Sequence, residues 1–371
     1  MATEQDTIVY TPALKWKLGE QDAVKTLTAV QKAKTLPIAE VPGLPIDWKK
    51  NEYKKTWDQH IDDVVDATIK SWGKVQEIAV DQPMVDDDRL ANGKTFAWRY
   101  LFDRLWIAGV EAVPVVSSYA DSLEIAELRK AAKSNGRTRW MLRYVADQSA
   151  DELPPIKEVA KWFDDTLAEL KAEHTDVDAV LDLGHVGTWE IKPIAATVAS
   201  FLDAIAALGS WRRISLLSGA FPKNLAGLSK GTHQIPRKDW SLYKAVKPLV
   251  SIPGNDLLFG DYGVSHIDAF EGDPRLLKMS ANLRYAHWKE WHVFKAGSVT
   301  TYGYGQYISL CQLLTALPIF MTASFSAGDA SHDDKATNPK AKPGNATIWR
   351  RDATNHHIHV VLHQLANPSG P

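Results

Sequence analysis

Four acids in this chain, Glu40, Asp81, Asp182 and Asp261, each stand at or just beyond the end of a short apolar run, and so do the cations Lys15, Lys17 and Arg143. Carboxylates offer the hard oxygens that Mg²⁺ or Mn²⁺ prefers, so Glu40, Asp81, Asp182 and Asp261 are the expected metal ligands. Lysines act on an anion as point charges and arginines as two-pronged donors, which makes Lys15, Lys17, Arg143 and Arg284 the expected holders of a phosphate. His266 and His356 are the candidate proton carriers. With Asp182 and Asp261 they form the expected catalytic set. Carboxylates, cations and histidines together describe phosphodiester or nucleotide hydrolysis. The plainer reading of the same types is a buried ion pair, Arg143 with Glu40 or Asp182, that serves the scaffold.

Such a set needs a frame that brings distant residues to one place. Runs rich in β-branched and apolar residues recur at 8–16, 36–41, 75–80, 112–116, 139–145, 179–183, 213–217 and 256–259. Segments of helical period lie between them, for example 97–108 with Trp98, Leu101, Phe102 and Leu105 on one face, and 156–170 with Val159, Phe163 and Leu167. Eight strand–helix units predict an α/β fold of the (β/α)8 TIM-barrel type, whose chemistry sits at the carboxyl ends of the strands. Asp261-Tyr262-Gly263, just past the last run, fits that place. No strand is followed by GxGxxG or a Walker loop, so the nucleotide-binding open sheets lack their signature.

Beyond Tyr285 the alternation stops. We expect a barrel over 1–285 and a C-terminal extension over 286–371 folded across the barrel mouth. In that extension 288–305 is aromatic and Gly-rich, 305–317 is helical, 324–345 is a mobile surface loop, and 355–366 is a closing helix. Ile358, Val361, Leu362 and Leu365 would pack that helix, with His359 and His363 on its wet side and His356 and His357 nearer a ligand.

A net charge of -2 gives no bulk attraction to nucleic acid or anionic membrane. Cys311 is the single cysteine, which suits a reducing cytoplasm and excludes a Cys-rich metal site. The opening MATEQDTIVY lacks the features of a secretion signal, and 308–323, interrupted by Gln312 and Pro318, falls short of a bilayer span. A cytoplasmic protein without membrane contact is the expectation. Ser218 lacks a GxSxG elbow, so a serine hydrolase is not indicated.

The segments YTPALKWKLGEQDAVKTL, LPIAEVP, FGDYGVSH, SANLRYAHW, GYGQYISLCQLL, FSAGD and IWRRDATNHHIHVVLHQLA resemble the Beta protein family. The resemblance runs from Tyr10 to Leu365, and its most distinctive parts are LKWKxGE and GDYG with ANxRY. Its motif residues include Lys15, Lys17, Glu20, Glu40, Asp261, Tyr262, His266, Arg284, Tyr285, Asp329, Arg350 and His356. Tyr262, Tyr285 and Arg350 thereby join Lys15, Lys17, Arg143 and Arg284 as expected ligand-binding residues. Ile267 stands where the family pattern would have proline. The family is associated with phages and prophages and with loci encoding Gop, Beta and Cll proteins together. Membership implies a role in phage conflict and a partner protein from the same locus. The two readings are a metal-assisted phosphodiesterase or nuclease, and a non-catalytic sensor that recognises a nucleotide or phage component.

Overall fold

A computed structural model describes residues 8–82, 85, 89–90, 92–146, 153–254, 256–268 and 279–368. All eight expected runs form strands: Ala13–Leu14, Ile38–Glu40, Ile78–Asp81, Ala112–Ser117, Trp140–Val145, Val177–His185, Arg213–Gly219 and Leu257–Asp261. They pair in chain order and in parallel. The ring closes where Tyr10 bridges Phe259 and the Thr11 amide donates to the Phe259 carbonyl at 2.9 Å. The fold is a (β/α)8 barrel.

Helices connect the strands on the outside. Ile156–Leu170 shows why they form: Val159, Phe163, Thr166, Leu167 and Leu170 recur at helical spacing and are buried, and Lys171 ends the run in a left-handed turn at φ 55°. Inside, the two-residue period of each strand sorts side chains into layers. Ala13, Ile38, Ala79, Met141, Val180 and Leu258 belong to one interior cluster. Two residues further along the first five of those strands stand Lys15, Glu40, Asp81, Arg143 and Asp182. The apolar filling therefore passes into a polar layer at the carboxyl end.

Outside the barrel, Gly231–Pro236, Glu290–Ser298 and Ser280–Ala286 make a three-stranded antiparallel sheet. The first of these strands comes from the connection between the seventh and eighth barrel strands. The aromatic segment 288–305 holds the strand Glu290–Ser298 and the short helix Val299–Tyr302. One sequence expectation is corrected here: the expected surface loop at 324–345 contains the helix Ala327–Thr337. That helix was hidden because its buried face is polar: Asp329, His332 and Lys335. The closing helix starts earlier than expected, spanning Ala346–Ala366, with Asn345 capping the Ile348 amide at 3.1 Å. Every residue from Asp352 to Ile358 is buried, so the helix is enclosed on nearly all sides rather than lying on a surface. Gly328 permits its close approach to Ala327–Thr337, since a Cβ there would lie 2.3 Å from the Asp352 carbonyl oxygen.

Candidate ligand site at the barrel mouth

Arg143 is the hub of the polar layer. Its Nε and Nη2 donate to Asp182 Oδ2 at 2.9 and 2.8 Å, its Nη1 to Asp81 Oδ2 at 2.6 Å, and its Nη2 lies 2.9 Å from Glu40 Oε1. The same Nη2 donates to the Tyr262 hydroxyl at 2.6 Å, which in turn donates to Asp182 Oδ2 at 2.6 Å. Lys15 donates to Glu40 at 2.5 Å and to the Ile267 carbonyl. All of these side chains except Lys15 are fully or almost fully buried. Burial works against the charge on Glu40, but Arg143 and Lys15 outweigh it and hold the carboxyl below its ordinary value. On Asp81 burial prevails over Arg143, with Glu40 and Asp182 adding to it, and the carboxyl is raised.

This arrangement meets the structural alternative for Arg143. It also bears on the expected Mg²⁺ or Mn²⁺. The carboxylates converge on a guanidinium at the centre of the layer, which repels a divalent cation from the place where one would sit. Among the described residues no group of three His, Cys, Asp or Glu side chains is placed to hold a metal ion. As folded, the donor set does not fit the metal.

Asp261 does not join this layer. Following Leu257 and Phe259 in steps of two, it belongs to the outward side of its strand and lies beneath the closing helix. Its Oδ1 accepts from the Tyr10 hydroxyl at 2.6 Å and from the Gly263 amide at 2.9 Å, and its Oδ2 meets His357 Nε2 at 2.7 Å. Arg237 stands 3.9 Å away. Burial disfavours the carboxylate, yet His357, Arg237 and Tyr10 together hold it below its ordinary value. Asp239, close to Arg237, is pushed by burial up to about 7.

His356 is equally enclosed. Its Nδ1 faces Asp329 Oδ2 at 2.7 Å, its Nε2 faces the Ala286 carbonyl at 2.7 Å, and its ring stacks on Tyr285 with centroids 3.9 Å apart. Tyr285 donates to Asp329 Oδ1 at 2.8 Å. Since a carbonyl only accepts, Nε2 donates, and one proton is left to be shared along Nδ1 and Asp329. His356, Tyr285 and Asp329 therefore bind the closing helix to the second sheet and to Ala327–Thr337, away from the polar layer.

The rim is different. Gly263 turns the chain at φ 60° after Tyr262, and the following segment folds back so that Ile267 packs against the barrel interior. Two arginines from outside the barrel meet there. Arg284 Nη1 donates to the Val264 carbonyl at 2.6 Å; Arg350 Nη1 donates to the same oxygen at 3.1 Å and to the Ser265 hydroxyl at 2.7 Å. Both are half-buried, and neither forms an ion pair with a carboxylate among the described residues. Arg284 lies over the Phe221 ring at 4.5 Å and touches Asn282 through Nε at 3.2 Å. Burial and the facing Arg350 push its guanidinium down to about 9, so it remains a cation at neutral pH.

His266, on the same segment, packs against His185 with ring centroids 4.7 Å apart; burial and that neighbour lower it. Lys17 is exposed at the start of Leu18–Lys25, the helix against which Arg350 packs: a Cβ on Gly19 would lie 2.8 Å from Arg350 Cβ.

Between residues 10 and 363 the chain matches the family model described as Beta protein. The chain belongs to the Beta protein family. No curated protein matches it. Among solved structures, 3-dehydroquinate dehydratase from Enterococcus faecalis aligns with TM-score 0.36 and 13% identity, over 58% of this chain and 80% of that one. The likeness is too distant to carry any conclusion about this Beta family member. Among its described residues no helix is long and apolar enough to cross a membrane.

The expected site residues thus fall into three places. Lys15, Glu40, Asp81, Arg143, Asp182 and Tyr262 share the mouth, Arg284, Arg350 and His266 share its rim, and Asp261, Tyr285 and His356 are locked under the closing helix. Sequence reasoning missed Tyr10, Arg237 and Asp239; His357, expected nearer a ligand, instead meets Asp261.

Proposed function

We propose that this Beta family protein recognises an anionic ligand, a nucleotide or a nucleic-acid phosphate, at the rim of its barrel mouth, as a non-catalytic sensor in phage conflict. The observation that carries the reading is the Arg284–Arg350 pair. Two guanidiniums brought together repel each other, and among the described residues no carboxylate stands between them. Their remaining N–H donors can take a phosphate two-pronged, and the ligand's charge relieves the repulsion. Arg350 belongs to the closing helix, so ligand binding acts directly on the element that ties barrel to second sheet. A partner encoded in the same locus would read that change, in the cytoplasm.

Phosphodiester hydrolysis is the second reading, and its metal-assisted form would need the mouth carboxylates to part from Arg143. One observation bears on it: burial raises the Asp81 carboxyl, while Arg143 and Lys15 hold that of Glu40 in the same layer below its ordinary value. Isothermal titration with a panel of nucleotides and short oligonucleotides, with and without Mg²⁺ or Mn²⁺ and followed by product analysis, separates the two. Recognition predicts metal-independent binding, weakened at least tenfold in Arg284→Gln/Arg350→Gln, and no product. Turnover that disappears in Asp182→Asn would replace the sensor by the hydrolase. No binding to any anion would sink both.

A further inference from the structure

A second basic feature stands on the same end of the barrel. The second barrel strand, whose Glu40 faces the mouth, runs into a β-hairpin of Ile46–Asp47 and Glu52–Tyr53. The sequence from Asp47 to Trp57 reads DWKKNEYKKTW, in which Lys49, Lys50, Lys54 and Lys55 are all exposed. Lys55 pairs with Asp63; Lys49, Lys50 and Lys54 meet no carboxylate among the described residues. The tip is nonetheless held in shape. The Asp47 carbonyl accepts from the Lys50 and Asn51 amides at 3.1 and 2.7 Å, Asp47 Oδ1 accepts from the Lys49 amide at 2.9 Å, and Asn51 turns through φ 56°. Tyr53 is 67% exposed.

Two strands of two residues bury almost nothing and add little to stability. A shaped hairpin that displays an open tyrosine ring and three lysines with no carboxylate partner among the described residues, on a protein with net charge -2, is a local positive feature. From it we infer that the hairpin is a docking arm for single-stranded nucleic acid: the lysines track the sugar-phosphate backbone and an unpaired base stacks on Tyr53. This rests on the rim reading and extends it. The hairpin follows the second strand and the Val264 segment follows the eighth, with the first strand between them, so that their parent strands lie about 10 Å apart at the ordinary strand spacing. A ligand that engages both is a polymer, not one phosphate.

The test uses the full chain, a fluorescein-labelled oligothymidylate of about twenty nucleotides, and inorganic phosphate as the small-anion probe. Lys49→Ala/Lys50→Ala/Lys54→Ala should keep the thermal midpoint, bind the oligothymidylate at least tenfold more weakly, and flatten the slope of log affinity against log salt by about 2, since each lost phosphate contact removes about 0.7. Tyr53→Ala should cost about tenfold and Tyr53→Phe should restore it. Phosphate binding should be unchanged in all of them. If the triple variant binds the oligothymidylate within twofold of wild type with the same salt slope, the hairpin assignment falls, and the rim reading survives provided Arg284→Gln/Arg350→Gln still weakens phosphate. If a paired duplex binds tighter than the single strand and Tyr53→Ala has no effect, the stacking role falls with it. Failure of wild type to bind either probe overturns both.

Discussion

Arg143 in the mouth and the Arg284–Arg350 pair at its rim are the same side chain in opposite circumstances. Arg143 is enclosed by Glu40, Asp81 and Asp182 and by the Tyr262 hydroxyl, with its donors turned inward to the scaffold. Arg284 and Arg350 share one backbone carbonyl and, among the described residues, no acid. A cation surrounded by acids stabilises the fold and is closed to ligands, whereas cations held against each other lower stability and are open to them.

The largest effect should come from breaking the first of these. Arg143→Met leaves three buried carboxylates with Lys15 as their neighbouring cation, and urea unfolding should show a loss of about 3–5 kcal/mol. A loss under about 1 kcal/mol would mean that the mouth is not the structural knot described above. Next in size, Arg284→Gln/Arg350→Gln should weaken anion binding by at least about 1.4 kcal/mol, a factor of ten, with stability unchanged or slightly higher by the same urea assay. A marked fall in stability instead would make the rim pair scaffold like Arg143.

Asp239 sharpens the comparison, as an acid that burial disfavours. Its folded value, about 7, lies above its unfolded one near 4, so the folded state holds a proton the unfolded state has released between those values. Its contribution to stability is present below about pH 4 and is lost as pH rises to about 7. Asp239→Asn should therefore be more stable than wild type by roughly 2 kcal/mol at pH 8, with the gap closing towards pH 4. A gap that does not change with pH would show that Asp239 is ionised throughout. The smallest effect is Lys15→Met, expected to cost about 1 kcal/mol because Lys15 is partly solvated and Glu40 retains Arg143.

The barrel was legible because its strands obey a simple rule: each is a short apolar run, and each helix between shows one apolar stripe. The polar layer followed from it, since a side chain two residues past the last buried apolar residue of a strand points into the same mouth. Asp261 shows where that rule needs register as well as position. It is separated from inward-facing Tyr262 by one residue, and one residue is the difference between the interior and the underside of a helix. Ala327–Thr337 was illegible for another reason. Its buried face is built from Asp329, His332 and Lys335, which find partners on other elements, and a pattern of hydrophobicity does not register polar residues satisfied over long range. The rim pair was visible as two arginines in motifs of the family but not as a pair, because 66 residues separate Arg284 from Arg350.

The closing helix imposes an order on synthesis. Asp261 on the eighth strand waits for His357, and the Ala23 carbonyl and Thr26 hydroxyl near the chain's beginning wait for the amide of Asn355. When the last barrel strand leaves the ribosome, roughly ninety residues that complete its surroundings have yet to emerge, about five to twenty seconds at ordinary elongation rates. During that interval Asp261 has Tyr10 and the Gly263 amide as partners but not His357. The eight strands are thus complete before the helix that packs on them, and a chain cut short before Asn355 would leave Asp261 without His357 and the Ala23 carbonyl and Thr26 hydroxyl without the Asn355 side chain.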